Sequence, residues 1–336
     1  MKKILCILLA VLILVFAAAA VVPPVTWAKT DKSPSFGAYQ HVFIIGVDGA
    51  GQFFRDADTP NFDRIFANGA VKYNVRTEVP SDSGPNWASM LIGVSYFKHL
   101  VHNGNSGELE RSSSTKYPSA FAALRSARPN AVLASFCNWQ NINFGIIEND
   151  IDVNKVSIQD DAKLTDAICA YFDEGNAPAL FFVQLDLVDA AGHARGSASK
   201  EYFDAIHTAD GYVGKIYDAL ERNGLLKDGL FLVTADHGHK QTGGHGRFSM
   251  RESITTIAAA GKTVVPGGAL DGITRDRDMA AIALFALGVE RPKTMSARLP
   301  GNLFAETKGE ARSFYKDMLD GVISPVMWLV TLVVKG

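Results

Sequence analysis

The sequence predicts an α/β fold: a mainly parallel central sheet with helices on both faces. Strand and helix patterns alternate along the chain, the strand runs are continuously apolar, and no repeat or low-complexity linker separates them. The run VFIIGV, residues 42–47, ends in Asp48-Gly49, as a buried strand does. Thr59-Pro60 then opens a helix, with a capping residue followed by proline in the first turn. That helix runs through Phe62, Ile65 and Phe66 and stops at Asn68-Gly69. Further strands fit residues 131–136, 179–187 and 230–234, and helices fit 161–172, 200–222 and 276–287.

A chain of 336 residues with 47% apolar content has enough material for a large core, and residues 36–312 read as one catalytic domain. With a net charge of -2 there is no basic excess, which argues against a platform for nucleic acid. Small anionic substrates remain compatible, because a bound metal supplies positive charge that composition does not show. Residues 1–28 read as a targeting segment: Lys2 and Lys3 precede an apolar run from Ile4 to Val22, and Thr26 and Ala28 supply small residues for cleavage. That run approaches the roughly 20 residues that span a bilayer, so a cleaved signal and a retained anchor both fit. Either places the domain outside the cytoplasm. At the other end, residues 313–336 form an apolar tail whose run from Gly321 to Val334 is short for a span; a last core element and a membrane-surface segment are both open. Cys137 and Cys169 are expected to be free, buried thiols.

In an open α/β sheet the ligand site gathers at the carboxyl ends of the strands. Four segments fall there: Val47-Asp48-Gly49, Asp189 to His193, Asp236-His237-Gly238, and Gly243-Gly244-His245-Gly246. They supply three carboxylates and three imidazoles, the ligand types zinc accepts. Asp236 and His237 are adjacent and converge only if the strand has ended, which Gly238 permits. Singly, each of these residues is more often a cap, a turn or an ordinary histidine, and His41, His99, His207 and His239 are left in that class.

The order of these segments resembles the alkaline phosphatase superfamily, and within it the branch of type I phosphodiesterases and nucleotide pyrophosphatases. The resemblance rests on VDG, TPNFDRIFANGA, D-x-x-x-H, DHG and GHG, and on Pro80 to Asn86, which matches P-x-x-T-x-P-N with Ser83 for threonine. ASMLIG after it and DMAAIALFALGVERP near the end extend the likeness over residues 40–305. The resemblance implies an alkaline phosphatase-like fold and two divalent metal ions, with zinc the first choice. Asp189, His193 and His245 would hold one ion; Asp48, Asp236, His237 and the Ser83 oxygen would hold the other. Ser83 would be the nucleophile and form a phosphoseryl intermediate, and Asn86 would donate to a non-bridging phosphate oxygen.

The implied substrate is a small-molecule, nucleotide or lipid phosphoester, with a phosphomonoesterase as the alternative and membrane association available through residues 4–22 or 321–334. Asp82-Ser83-Gly84 also resembles the monoesterase Asp-Ser-Ala. Trp87, however, stands where monoesterases and sulfatases carry an arginine, and the next arginine is Arg111. A sulfatase, a phosphomutase and a decayed binding module fit less well. Arg195 and Arg247 follow two of the implied ligands closely and could turn the preference toward monoesters. Phe53, Phe54, Trp87 and Tyr96 are expected either as core or as an aromatic wall for a nucleobase or lipid group.

Overall fold

The computed structural model describes residues 33–310 and Arg312. The targeting segment at 1–28 and the tail at 313–336 therefore lie outside the described residues. Among the described residues, no helix is long and apolar enough to cross a membrane.

Seven strands form one sheet: β1 (His41–Val47), β2 (Ala70–Arg76), β3 (Leu133–Cys137), β4 (Asn154–Ser157), β5 (Leu180–Leu185), β6 (Gly229–Thr234) and β7 (Ile254–Ala260). Their order is β2-β7-β6-β1-β5-β3-β4. The five strands from β6 to β4 run parallel, while β7 is antiparallel to both β6 and β2. The expected sheet is thus correct, with one antiparallel strand next to the edge, β7, that the apolar runs did not disclose.

Among the described residues, seven α-helices of seven or more residues cover it: α1 (Pro60–Phe66), α2 (Ser83–Ile92), α3 (Ala120–Ala127), α4 (Asp161–Asp173), α5 (Leu187–Arg195), α6 (Lys200–Arg222) and α7 (Asp278–Ala286). Successive side chains of β1 point to opposite faces, as strand geometry requires. Val42 and Ile44 join the core under α2, α3 and α7, whereas Phe43, Ile45 and Val47 join the core under α1, α4 and α6. A strand buried on both faces must be apolar throughout, which is why residues 42–47 read as a continuous run. Helix α6 starts where Ser199 accepts the N–H of Tyr202, a side-chain cap. Cys137 is buried on β3 and Cys169 is half-buried on α4; both are free thiols.

Gly46 interrupts the apolar run of β1 for a packing reason. The Trp87 ring of α2 lies across it, and a Cβ at Gly46 would sit 2.3 Å from the ring atom Cη2. Trp87 in turn meets Phe182 of β5 edge to face, with centroids 5.5 Å apart. Gly46→Ala must therefore push a fully buried indole off the sheet. Overpacking of this kind costs about 1–3 kcal/mol. Urea denaturation should show that loss, and a variant as stable as the parent would contradict the packing described.

Candidate active site

Strands β6, β1 and β5 are neighbours, and their carboxyl ends converge on one cluster of acids and imidazoles. Asp48 follows β1 in the turn completed by Gly49, whose φ of 72° suits glycine. Asp236 and His237 follow β6; the strand ends at Thr234, so neither is bound by strand alternation. Asp189 and His193 lie on α5 rather than at a strand end, one helical turn apart and therefore on one face. His245 comes from the glycine-rich loop after β6, and Ser83 is the first residue of α2.

Two ligand sets adjoin. In the first, the Ser83 hydroxyl lies 3.1 Å from His237 Nε2, which is also 3.2 Å from Asp236 Oδ2 and 3.5 Å from Asp48 Oδ1. In the second, His245 Nε2 lies 3.0 Å from His193 Nε2 and 3.4 Å from Asp189 Oδ1, and His193 Nε2 is 3.4 Å from Asp189 Oδ2. The rings of His237 and His245, one from each set, stack at 3.8 Å. The structure thus brings together the seven residues that the sequence nominated as metal ligands; Asn86, the eighth site residue nominated, is part of neither set.

Chemistry and geometry both fit cations here. Asp48 Oδ1 and Asp236 Oδ2 are buried and have no hydrogen-bond partner, although buried polar atoms are ordinarily paired. Burial, then repulsion from Asp189 and Asp186, holds the Asp48 carboxyl well above the usual range; burial and then Asp48 do the same to Asp236. Burial, followed by the charges of neighbouring histidines, pushes His237 well below its ordinary value, so its ring is neutral. The Nδ1 atoms of His237 and His245 lie 3.2 Å from the Gly238 carbonyl and 2.9 Å from the Ser81 carbonyl. Protonated there, they donate to those oxygens and leave each Nε2 lone pair free for a metal.

The supporting contacts settle one open expectation in favour of core and correct two others. Trp87 is no wall of a pocket: its Nε1–H donates to Asp48 Oδ2 at 2.8 Å, beside the Gln184 amide at 2.9 Å. Phe53, Phe54 and Tyr96 are also buried, so the aromatic wall does not exist and all four rings belong to the interior. Asn86 is fully buried: its Oδ1 accepts from the Glu78 N–H at 2.7 Å, and its amide nitrogen donates to Asp82 O at 2.8 Å and Pro80 O at 3.3 Å. Both of its donors serve the loop before the nucleophile, which leaves none for phosphate. Asn103, not singled out in the sequence, stands by the nucleophile instead: its Oδ1 accepts the Gly84 N–H at 2.6 Å. His239, expected to be ordinary, is fully buried 2.9 Å from Asp189 Oδ1. His41 and His207 meet backbone carbonyls and His99 meets Ser89, as ordinary histidines do.

Comparison with known proteins points to one family. The family described as type I phosphodiesterase / nucleotide pyrophosphatase matches residues 42–104 and 113–297. GPI ethanolamine phosphate transferase 1 of Gibberella zeae is 30% identical over 156 residues, 40% of this chain and 16% of that protein. Alkaline phosphatase PhoD of Zymomonas mobilis is 34% identical over 94 residues, 26% of this chain and 16% of that protein. The chain thus matches about a sixth of the length of these curated relatives. Among solved structures, murine ectonucleotide pyrophosphatase / phosphodiesterase 5 superposes with a TM-score of 0.65 at 14% identity, over 75% of this chain and 96% of that one. The phosphonate monoester hydrolase of Silicibacter pomeroyi gives 0.58 at 14% identity, over 77% and 75%. At such identities the structural likeness speaks for the fold alone.

Because Asn86 ties the loop together, Asn86→Ala should act first on stability. It leaves a buried N–H without its acceptor, a defect worth about 1–3 kcal/mol. Urea denaturation should register that loss. Unchanged stability with abolished turnover would restore the phosphate-donor role.

Proposed function

The chain belongs to the type I phosphodiesterase / nucleotide pyrophosphatase family, and we propose that it hydrolyses phosphodiester or pyrophosphate bonds through Ser83, with two divalent ions, zinc first, as cofactors. The observation that carries this reading is the position of the Ser83 hydroxyl, 3.1 Å from His237 Nε2 beside two partnerless buried carboxylate oxygens. Asp48, Asp236, His237 and Ser83 would hold one ion, and Asp189, His193 and His245 the other. When bound, such ions lower the pKa of a serine hydroxyl and offset charge that develops on phosphoryl oxygens.

The remaining work falls to the chain. Ser83 Oγ loses its proton and attacks phosphorus, the bond to the leaving oxygen breaks and that oxygen takes up a proton. The phosphoryl group, still carrying its other substituent, stays on Ser83 until water hydrolyses the seryl ester and restores the hydroxyl. The hydroxyl is aimed by its place at the start of α2, where backbone N–H groups and the helix dipole favour phosphate. Asn103, already in contact with the Gly84 N–H, is the neutral amide next to the reacting group. Trp87 supports the diester preference: where monoesterases carry an arginine, this side chain turns inward onto Asp48. A diester carries less charge than a monoester and needs less compensation. The monoesterase reading would need Arg195 or Arg247, both exposed, to reach the phosphate. The basic start and apolar run of residues 2–22 support action outside the cytoplasm.

Turnover of an aryl phosphodiester beside an aryl monoester is the direct test. The full chain with zinc should favour the diester, and Ser83→Ala should abolish turnover while leaving the fold in place. Activity near that of the parent in Ser83→Ala would sink the nucleophile assignment.

Metal binding should also depend on pH in a defined direction. Asp48 and Asp236 hold protons to higher pH than ordinary carboxyls, and a metal must displace those protons. Falling pH therefore strengthens proton competition, so affinity should rise with pH. The thermal shift produced by zinc should be larger at pH 8 than at pH 5.5. Equal shifts, or no zinc by elemental analysis after reconstitution, would contradict the two-metal reading.

A further inference from the structure

After Asp236-His237-Gly238 the chain places a further imidazole, His239, and three separate segments make room for it. A Cβ at Gly192 of α5 would lie 2.3 Å from its Cδ2 atom, and one at Gly49 would lie 2.7 Å from its Nε2. On α6, Tyr202 meets the ring edge-on at 5.9 Å and donates its hydroxyl to the Gly49 carbonyl at 2.5 Å. Two glycines and a tyrosine thus cradle a ring that is fully buried.

The contacts of the ring decide between two roles. Nε2 lies 2.9 Å from Asp189 Oδ1, while Nδ1 is buried with no partner. If the Nε2 lone pair served a metal, the proton would sit on Nδ1 as a buried donor without an acceptor, a rare arrangement. With the proton on Nε2, the ring donates to Asp189 and leaves only a bare acceptor. We infer that His239 is a positioning residue and not a ligand: its Nε2–H holds Asp189 Oδ1 and steers that carboxylate toward the set it shares with His193 and His245. This inference rests on the two-metal reading. Ligand atoms of Asp189, His237 and His245 lie within 4.8 Å of a His239 ring nitrogen, so a ligand role is the rival the test must exclude.

The test is a zinc titration of the full chain in competition with a chromogenic chelator, with circular dichroism as a check on the fold. His239→Ala should still bind two ions at saturation, with one dissociation constant raised about 10- to 100-fold, the usual cost of losing such a partner. His239→Gln should recover most of that loss, because its amide N–H can reach the carboxylate while the amide is a poor zinc ligand. One ion fewer at saturation in both variants would make His239 a ligand and overturn the inference. Unchanged affinity in His239→Ala would make it a bystander and overturn it equally. If His239→Ala fails to fold, His239→Gln decides: near-parental affinity with two ions supports positioning, and loss of an ion refutes it. A parent protein that binds no zinc removes the two-metal reading itself, before any variant is made, and the inference falls with it.

Discussion

Three carboxylates, the buried Asp48 and Asp236 at the ends of adjacent parallel strands and the half-buried Asp189 on α5 beside them, are drawn together, and the surrounding structure is organised around that concentration of charge. Buried like charges repel and are poorly solvated, so the cluster is tolerable only with protons or cations in place. The groups that hold these acids are neutral: the Trp87 indole and the Gln184 amide on Asp48, the Gly49 N–H on Asp236 at 3.1 Å, and the His239 imidazole on Asp189. Neutral donors orient the oxygens without cancelling their charge. A set of arginines would have satisfied the same oxygens and left little affinity for a cation.

That requirement reaches into the core. Trp87 can bond Asp48 only by lying across β1, which obliges residue 46 to be glycine. His239 can reach Asp189 only because Gly192 and Gly49 leave its ring space. Gln184 continues the network outward: its amide bridges Asp48 Oδ2 and Asp186 Oδ1, at 2.9 and 3.0 Å. Burial and repulsion from Asp189 push Asp186 up to about 6, so the electrostatic influence of the cluster extends beyond the ligands themselves. Packing choices in the sheet are in this sense consequences of the site.

The same division explains what the sequence disclosed. Residues 42–47 announce β1 because a strand covered on both faces must be apolar throughout, and α6 announces itself through a cap and a long amphipathic pattern. Strand β7 reads ITTIAAA, and alanine has little preference for strands; it is made a strand by its partners β6 and β2. Helix α5 carries no pattern like that of α6, because it buries few side chains along its length, chiefly Val188, and includes Gly192. The clustered acids and imidazoles are legible because such residue types recur at or just after strand ends in a recognisable order. Their supports are not, since Trp87, Gln184, Asn103 and His239 reach the site through space. Asn86 matched a motif by position, yet its environment, invisible in one dimension, assigns both its donors to the backbone.

A second buried ionic group shows how Ser83 is held. Arg277, at the start of α7, is fully buried and pairs with Glu78, while its N–H donates to Asp276 at 2.6 Å. A buried pair of this kind contributes little net stability, because desolvation offsets most of the attraction. Its consequence here is positional. Glu78 opens the segment that leads to Ser83, and its N–H is held by Asn86, whose amide closes on Pro80 and Asp82. The segment is fixed at its start by an ion pair, in its middle by Asn86, and at its end by α2, with Ser81 donating to the Arg247 carbonyl at 2.7 Å on the other side. Positioning of reacting groups can supply several kcal/mol of a catalytic barrier, but only if the group has nowhere else to go. Ser83 meets that structural condition, because the loop behind it is as constrained as the cluster of acids and imidazoles in front of it.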